Sequence, residues 1–426
     1  MAPCKGYLTP FSPIWLQSGV PLMMRGLIAG AVAILFAVAP PGAARKAASL
    51  ANSGSDLRQC SLDLTYGDAD MSPDLPEVAF FTPVVPANLK DRPGHWPTVV
   101  SLFDYRRQTK TESAPGTPTS VIFGDSVMLF DCFRFSPNGR LVLAHDGEGV
   151  LHIFGLSGPQ PREVETISLG LSGARPNFQP VDVEWSPDSA RLAIIFSFKV
   201  FHEGDVRVYD VSTGHLEWER SFHFVEMGGE AWSPDGRRLA VTLLTGEPST
   251  AYPPRAIPNL LVFDANWGGT ILSVDTGDQA GPLCFAPDDT LATAPLHFEP
   301  YGTDRWHHEK AKVWNATTGK LVRQIASPGR DIHDHLALSR NGKVLVAYVG
   351  KERAGFSFRA MEYTSGVLDS RFQLFDYNTG RVIATSPELG CASGWFAPDL
   401  RIGPDGRRVL VSWPHLTCSA TVYELP

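Results

Sequence analysis

The segment "AWSPDGRRLA" at residues 231–240 holds the tight turn on which the fold prediction depends. Its Asp-Gly pair suits a short connection between antiparallel strands, because such connections need positive φ angles that glycine adopts at low cost. An apolar β-type run, "LAVTLL", follows at residues 239–244. The segment therefore predicts a β-hairpin.

Six related turns recur at intervals of about 50 residues, a spacing typical of blade-sized repeats, and each precedes a short β-type run. Besides the weak match at Met71, two of them, at Asp188-Ser189 and Asp288-Asp289, lack the glycine, and we expect a longer or more strained turn there. The turns read "MSPDLPE" from Met71, "FSPNGR" from Phe135, "WSPDSAR" from Trp185, "FAPDDT" from Phe285, "LSRNGK" from Leu338 and "IGPDGRR" from Ile402.

A second periodic element follows each of those runs. It is an alternating strand that ends in an aromatic residue, and in most copies Asp or Asn and then a closing Gly come next, which is typical of hairpin-linked strands. The seven copies are "VSLFDYRRQ" from Val100, "VLHIFGLSG" from Val150, "VRVYDVSTG" from Val206, "LLVFDANWGG" from Leu260, "AKVWNATTG" from Ala311, "FQLFDYNTG" from Phe372 and "ATVYEL" from Ala420.

Seven copies of each element indicate seven similar antiparallel units. A four-stranded unit cannot bury both of its faces alone, whereas units stacked in a closed ring each gain a neighbour on both sides. We expect the bulky residue before each turn to fill the space between adjacent units. These residues are Phe135, Trp185, Trp232, Phe285, Leu338 and Ile402.

The chain resembles the WD-repeat type of β-propeller from about Ser61 to Pro426, although only Trp314-Asn315 approaches the Trp-Asp pair of that family. The resemblance implies an all-β, seven-bladed β-propeller of four-stranded antiparallel sheets, with six blades as the alternative because the turn at Met71 is a weak match. The chain ends after an apparent third strand. We therefore expect "SLDLT", Ser61–Thr65, to supply the outer strand of the last blade and close the ring.

The N-terminal region differs from the rest in composition. Arg25 precedes the apolar run "GLIAGAVAILFAVA" at Gly26–Ala39, which suits the hydrophobic region of a secretory signal, and small residues up to Ala44 suit cleavage. We predict a signal peptide or an uncleaved N-terminal anchor at residues 1–44, a linker at 45–60 and the propeller at 61–426. The body is then secreted or periplasmic, with membrane contact only through an uncleaved N-terminal segment.

The six cysteines contain no C-x-x-C pair, which argues against thioredoxin-like chemistry and zinc knuckles. Cys391 and Cys418 fall on the same expected face of the last blade, so we expect a disulfide between them, which suits an oxidising compartment. We expect Cys132 and Cys284, on innermost strands, to be buried free thiols.

Binding residues are predicted in the enlarged connections between the second and third strands of the blades, which leave a propeller on one face. These connections are 82–98, 198–204, 245–258, 296–309 and 350–370. Aromatic and Arg side chains on such loops are common binding anchors, although the loops could instead merely cover each other and the channel mouth. The candidates are His95, Trp96, His202, Tyr252, Arg255, Tyr301, Arg305, Trp306, His307, His308, Arg353, Arg359 and Tyr363.

Other ligand classes have weaker support. A net charge of −8, with no basic run longer than a pair, argues against nucleic acid. The pairs His307-His308 and His333/His335 lack a recognised metal-site spacing, so we predict no metal and no cofactor. Phosphate-binding and hydrolase motifs are missing as well.

The resulting hypothesis is an exported, non-catalytic propeller that binds a protein, peptide or glycan. The alternative is a propeller enzyme of the lyase, lactonase or dehydrogenase type, with a site at the central channel. Arg134, Glu184 and Arg401, on predicted innermost strands, would then be candidate catalytic residues. In the binding hypothesis they line a wet channel. A purely structural envelope module is a third possibility.

Overall fold

The strands of the described residues form seven antiparallel sheets, and each sheet is one blade of a β-propeller. The first strands of blades 1 to 7 contact one another in sequence, and blade 7 contacts the first strand of blade 1, so the blades form a ring. The computed structural model describes residues 50–52, 58–63, 69–83, 95–112, 120–122, 133–145, 149–170, 179–198, 203–223, 225–245, 258–277, 280–295, 310–357, 362–389, 399–413 and 419–425.

Blades 1 to 6 each contain four consecutive strands, with the first innermost and the fourth outermost. Blade 1 comprises Ala69–Met71, Glu77–Pro83, His95–Asp104 and Thr109–Glu112, with Ser120–Ile122 paired to its third strand. Blades 2 and 3 comprise Phe133–Phe135, Leu141–His145, Val150–Gly155 and Arg162–Ser168, then Gln179–Trp185, Arg191–Phe198, Glu203–Asp210 and Leu216–His223.

Blades 4 to 6 follow the same order. Blade 4 comprises Val225–Trp232, Arg238–Thr245, Leu260–Asp264 and Thr270–Val274. Blade 5 comprises Ala280–Phe285, Thr290–Pro295, Ala311–Asn315 and Leu321–Ile325. Blade 6 comprises Asp331–Leu338, Val344–Ser357, Glu362–Asp376 and Val382–Thr385. Seven complete sheets rule out the six-bladed alternative.

Blade 7 is closed by the N-terminal part of the chain. Its strands Asp399–Ile402, Arg408–Trp413 and Ser419–Glu424 are followed in the sheet by Arg58–Asp63 and then Leu50–Asn52. The expectation that an N-terminal strand completes the last blade is thus confirmed. The strand begins at Arg58, three residues before the expected Ser61, and the additional strand Leu50–Asn52 lies beyond it.

The recurring turn is held by its own polar side chains. In blade 4, Gly236 has a φ of 69° and its N–H donates to the Ser233 carbonyl at 2.8 Å. Ser233 Oγ donates to Asp235 Oδ1 at 2.6 Å and accepts from Arg238 N at 2.9 Å. The Ser, Asp and Gly of the Ser-Pro-Asp-Gly motif therefore each have a local role, which explains their repetition.

The turns at Ser189 and Asp289, where another residue replaces the glycine, carry backbone strain and are not longer than the turn of blade 4. Ser189 and Asp289 adopt φ angles of 62° and 64°, in the left-handed region that disfavours residues with a Cβ. The hydrogen bond from Ser186 N to Arg191 O closes the Ser189 turn and spans as many residues as the bond from Ser233 N to Arg238 O in blade 4. The Asp289 turn is closed from Ala286 N to Thr290 O and is one residue shorter. The expected strain is confirmed, and the extra length is not found.

The bulky residues before the turns pack between neighbouring blades, as expected. Trp185 of blade 3 donates from Nε1 to the Arg134 carbonyl of blade 2 at 3.3 Å, and Trp232 of blade 4 donates to the Glu184 carbonyl of blade 3 at 3.2 Å. Phe135 and Phe285 are buried in the equivalent clusters, whereas Leu338 and Ile402 are partly buried there.

Two glycines with positive φ differ in how closely other side chains approach them: Gly319 lies in the turn between the third and fourth strands of blade 5, and Gly277 lies in the connection from blade 4 to blade 5. A Cβ on Gly319, where φ is 69°, would lie 2.8 Å from Val274 Cγ2 of blade 4. A Cβ on Gly277, where φ is 76°, would meet no atom within 4 Å. Both positions resist a side chain conformationally, and only Gly319 resists it sterically.

We expect Gly277→Ala to lower the free energy of unfolding by about 1 kcal/mol, the cost of the left-handed conformation alone. Gly319→Ala carries that cost and the crowding against Val274, so we expect a loss of about 2–3 kcal/mol. Urea unfolding of the two variants measures the difference. Equal losses in the free energy of unfolding would show that the close approach of Val274 to Gly319 does not constrain the packing of blades 4 and 5.

Candidate functional site

Most of the predicted binding residues lie outside the described residues. These are His202, Tyr252, Arg255, Tyr301, Arg305, Trp306, His307, His308 and Arg359. Cys132, both cysteines of the expected disulfide (Cys391 and Cys418) and the predicted leader, 1–44, also lie outside the described residues. Their predictions remain predictions. His95, Trp96, Arg353 and Tyr363 lie in described strands, where their backbone pairing is defined.

The connections between second and third strands all leave one end of the ring. The blades share one topology, so every second strand runs in the same direction along the ring axis and ends on the same side. We call this side the connection face. The opposite side carries the recurring turns, such as Ser233–Gly236, and we call it the turn face.

Blade 6 carries a hairpin that extends its sheet at the connection face. Lys351–Ser357 pairs with Glu362–Leu368 beyond Gly350, the last residue that pairs with the first strand of this blade. Seven residues per strand correspond to roughly 23 Å at ~3.3 Å per residue. We call this paired segment the hairpin arm.

The expected loop at 350–370 is therefore largely β-structure. Its sequence lacks the strict apolar alternation of a core strand, and for that reason the pattern favours a loop. Arg353 pairs with Gly366, and Tyr363 pairs with Phe356. Both candidates thus lie on the hairpin arm.

In blade 1, the candidates His95 and Trp96 also lie in paired strand. His95 pairs with Ile122 and Trp96 with Val121, so the third strand extends toward the connection face and gains an additional partner. The predicted connection is thus shorter than 82–98, because the third strand begins at His95.

Charged side chains from the first strands of several blades meet near the ring axis. Arg134, Glu184 and Arg401, the expected channel residues, are among them. We call the whole group the channel cluster: Asp70, Arg134, Asp182, Glu184, Glu230, His335, Asp399 and Arg401.

Two arginines link the carboxylates of several blades. Arg134 Nη2 lies 2.9 Å from Asp182 Oδ1, and its Nη1 lies 3.8 Å from Asp399 Oδ2. Arg401 Nη2 lies 3.0 Å from Asp399 Oδ2, and its Nε lies 3.9 Å from Asp70 Oδ1. These ion pairs span blades 1, 2, 3 and 7, so the cluster crosses the ring.

Asp399 and Asp70 respond differently to this environment. Burial opposes ionisation of Asp399, but Arg401, Arg134 and His335 outweigh it and lower the pKa of that carboxyl. Burial dominates at Asp70 and raises its pKa despite Arg401 and Arg134. Asp70 also accepts hydrogen bonds from Met71 N at 2.8 Å and Phe135 N at 2.7 Å.

The two glutamates differ from the aspartates because neither forms an ion pair within the described residues. Burial, reinforced by Asp182 and Asp70, raises the pKa of Glu184 to about 7. The residue is partly exposed, yet burial has the largest effect on its carboxyl. Glu230 is 7% exposed, and burial next to Asp182 and Glu184 raises its pKa well above the usual range.

We expect Glu184 to make stability fall as pH rises. Its carboxyl is neutral in both folded and unfolded states below pH 4.5, but above about 7 the folded protein must hold a buried carboxylate. Glu184→Gln should therefore raise the free energy of unfolding at pH 8, by at most about 3 kcal/mol, and change it little at pH 4. Urea unfolding at both pH values tests this.

Glu219→Gln, on the exposed fourth strand of the same blade, is the matched control. We expect it to change the free energy of unfolding by no more than about 0.5 kcal/mol at either pH. A Glu184→Gln effect that is the same at pH 4 and pH 8 would contradict the assignment of the pH dependence to this carboxyl.

Other chemistry near the axis is limited within the described residues. There, no group of three His, Cys, Asp or Glu side chains is arranged to hold a metal ion. Cys284 is a free, buried thiol, as expected, and burial raises its pKa to about 12, so it is not a nucleophile at neutral pH. The cluster is thus one of carboxyls and guanidiniums.

A separate polar cavity of about 290 Å³ lies on the turn face, where blades 7 and 1 meet. Tyr105 Oη and Arg106 Nη2 donate to Glu424 Oε1 there at 3.0 and 2.7 Å. Arg408 donates to the carbonyls of Pro73 and Leu75, each at 2.7 Å. These bonds fasten the ring at its seam.

The sequence holds a signal for more of the channel cluster. Arg134, Glu184 and Arg401 each precede the bulky residue of a turn by one position. Because side chains alternate along a strand, the residues two positions earlier lie on the same strand face. Asp182 and Asp399 occupy that position, so strand alternation could have added them to the expected channel residues.

Comparisons with known proteins bear on the fold. No protein-family model and no curated protein matches this sequence. Among solved structures, a chain of the crystal structure of the mitotic checkpoint complex is similar, with 14% sequence identity and a TM-score of 0.54; the match covers 92% of this chain and 98% of that chain. At this identity the likeness concerns the fold alone.

Among the residues that the structure describes, no helix has both the length and the apolar character to span a bilayer.

The fold itself is defined by three observations together. They are the seven four-stranded sheets, the turns that recur between them, and the similarity to a solved chain over nearly its full length. The chain folds as a seven-bladed β-propeller.

Proposed function

We propose that this propeller is a non-catalytic binding protein that engages a protein, peptide or glycan through its connection face. The observation that carries the proposal is the one-sided elaboration of the ring. The hairpin arm extends the blade 6 sheet at that face, and the other enlarged connections begin there too. Variable segments on a rigid scaffold are where binding surfaces are commonly built.

Two further observations support a binding role. The similar solved chain comes from a protein assembly, the mitotic checkpoint complex. The sequence of the connections is rich in aromatic and Arg residues, which are frequent binding anchors. Tyr301, Arg305 and Trp306 form the densest such group, and with the hairpin arm they are the segments that we propose to contact the partner.

Crosslinking in the native compartment, followed by mass spectrometry, tests the proposal. A variant with Tyr301→Ala and Trp306→Ala, and a second variant in which a Gly-Gly link replaces residues 351–368, should each lose the crosslinked partner. Arg407→Ala, on the turn face, is the control and should keep it. If all three variants crosslink the same neighbours equally, the connection face is not the binding surface.

The proposal includes export. It rests on the apolar run Gly26–Ala39 after Arg25 and on the small residues that follow it. N-terminal sequencing of the protein recovered from the extracytoplasmic fraction should begin after Ala44 if the leader is cleaved. Recovery only from the cytoplasm, with the leader intact, would contradict export.

The channel cluster is the observation that favours the enzyme alternative. A carboxyl with a pKa of about 7, as in Glu184, is suited to act as a general base at neutral pH. Turnover of a lactone or a uronide substrate that is lost in Glu184→Gln, and retained in Glu219→Gln, would establish it. Binding is the preferred function because it explains why the enlarged connections lie on one face of the ring, whereas catalysis in the channel does not explain their position.

A further inference from the structure

We infer that the channel cluster binds an organic cation, an ammonium or guanidinium group, between Glu184 of blade 3 and Glu230 of blade 4. The inference deepens the proposed binding function and rests on it where the cation belongs to a partner chain. The cation can be a basic side chain of that partner or a small free amine. Both sources present the same positively charged N–H donors. The crosslinking of a partner by the variants described below distinguishes one source from the other.

The first support is the imbalance of charge. Five carboxyls and two guanidiniums meet near the axis, together with His335. The ion pairs of Arg134 and Arg401 use three of those carboxyls, namely Asp70, Asp182 and Asp399. Glu184 and Glu230 are left over, and they are neighbours in the ring.

The second support is the environment of Glu230. The side chain is 7% exposed, and neither of its carboxylate oxygens has a hydrogen-bond partner within the described residues. It lies near Asp182 and Glu184, whose charges act on it most strongly after burial. Buried polar groups in folded proteins almost always have partners, so an unpartnered carboxyl that faces other acids indicates a missing donor.

The third support is access from the channel. Asp182 and Glu184 are partly exposed, so solvent reaches the side of the cluster next to Glu230. Gly228 is the extra residue of a β-bulge in the first strand of blade 4, is partly exposed and has no side chain to close the approach.

The surrounding groups favour an organic cation over a metal ion or an anion. Within the described part of the chain no three possible ligands are arranged around a metal, and Arg134 and Arg401 would repel a divalent ion. The free carboxyl oxygens accept hydrogen bonds, and an ammonium or guanidinium group supplies several N–H donors. An anion would meet the charge of Asp182, which acts on both glutamates.

Binding of the cation must release protons. Burial, reinforced by Asp182, raises the pKa of both Glu184 and Glu230, and Arg134 and Arg401 compensate only partly, so both carboxyls favour the protonated form more than an exposed glutamate does. A cation between them favours both carboxylates, so it displaces protons. With the pKa of Glu184 at about 7, we expect the affinity to rise about tenfold from pH 6 to pH 8.

Isothermal titration with lysine methyl ester and arginine methyl ester at pH 6 and pH 8 tests the inference on the full chain. We expect binding that is tighter at pH 8, with released protons that a pH indicator detects in weak phosphate buffer. Glu230→Gln keeps the shape of the side chain and should weaken binding at least tenfold, whereas Glu219→Gln should leave it unchanged. Circular dichroism verifies that both variants fold.

The same variants separate the inference from the proposed function. The inference is overturned if neither ester binds the wild type at pH 8, or if Glu230→Gln and Glu219→Gln bind the esters equally. Water alone then occupies the cluster, and this result holds even where the connection face still captures a partner. If Glu230→Gln loses the esters and the crosslinked partner, the cation is a basic side chain of that partner. If it loses the esters and keeps the partner, the cation is a free amine.

Discussion

Deletion of residues 1–63 is expected to open the ring and destabilise the whole propeller. Arg58–Asp63 pairs with Ser419–Glu424 over six residue positions, and the Cys60 side chain, 2% exposed, packs against Ala420 and Val422. At ~1 kcal/mol for each backbone hydrogen bond, the lost pairing alone corresponds to a decrease in the free energy of unfolding on the order of 5 kcal/mol. Urea unfolding followed by circular dichroism measures it.

Deletion of residues 1–49 is the control, because it leaves both N-terminal strands of blade 7 in place. We expect that variant to unfold at the same urea concentration as the full chain. The longer deletion also exposes the edge of Ser419–Glu424, so it should form aggregates that light scattering detects. A synthetic peptide of residues 50–65 added in trans should restore part of the stability. Equal stability of the two deletions would show that the ring does not depend on this strand.

The closing strand illustrates how far the sequence determines the fold. Every turn motif contains the residues that hold its own geometry, as Ser233, Asp235 and Gly236 do in blade 4, so local pattern suffices to count the blades. The chain ends after a third strand, and a ring cannot leave one blade incomplete at its edge. That reasoning predicts Ser61–Thr65, close to the observed Arg58–Asp63.

The candidate site was less predictable because it depends on distances between blades. Arg134 lies far from Asp399 along the chain, and only ring closure brings the first strands of blades 2 and 7 to the same axis. Alternation along one strand can suggest that Asp182 and Glu184 share a face. It cannot show that Glu230 lies beside them without an ion pair, because that depends on which acids the two arginines of the channel cluster reach.

The hairpin arm shows a second limit. Strand predictions rely on apolar alternation, which reports burial against a core. The two strands of the hairpin arm lack that signal, and for this reason the pattern at 350–370 indicates a loop where the structure has paired strands. Glycine and small residues such as Ala354 and Gly355 reinforce that interpretation. Backbone pairing across a tight connection can form without the pattern that identifies core strands.

Trp232→Ala is expected to cause a larger loss of stability than either glycine substitution, about 3–5 kcal/mol. The ring of Trp232 is 6% exposed and fills the seam between blades 3 and 4, where Nε1 donates to the Glu184 carbonyl at 3.2 Å. The Arg191 guanidinium stacks on it, 4.9 Å from the ring centroid. Truncation leaves a cavity, removes a hydrogen bond to a buried carbonyl and deprives an arginine of its aromatic partner.

Trp267→Ala provides the matched control, because Trp267 lies in the same blade and is 63% exposed. We expect it to change the free energy of unfolding by no more than about 0.5 kcal/mol. Trp232→Phe should fall between the two, because it keeps most of the packing and loses the hydrogen bond to Glu184. Urea midpoints by circular dichroism rank the three variants. If Trp232→Ala and Trp267→Ala unfold at the same midpoint, the bulky residues before the turns do not hold the blades together, and contacts elsewhere in the seams must close the ring.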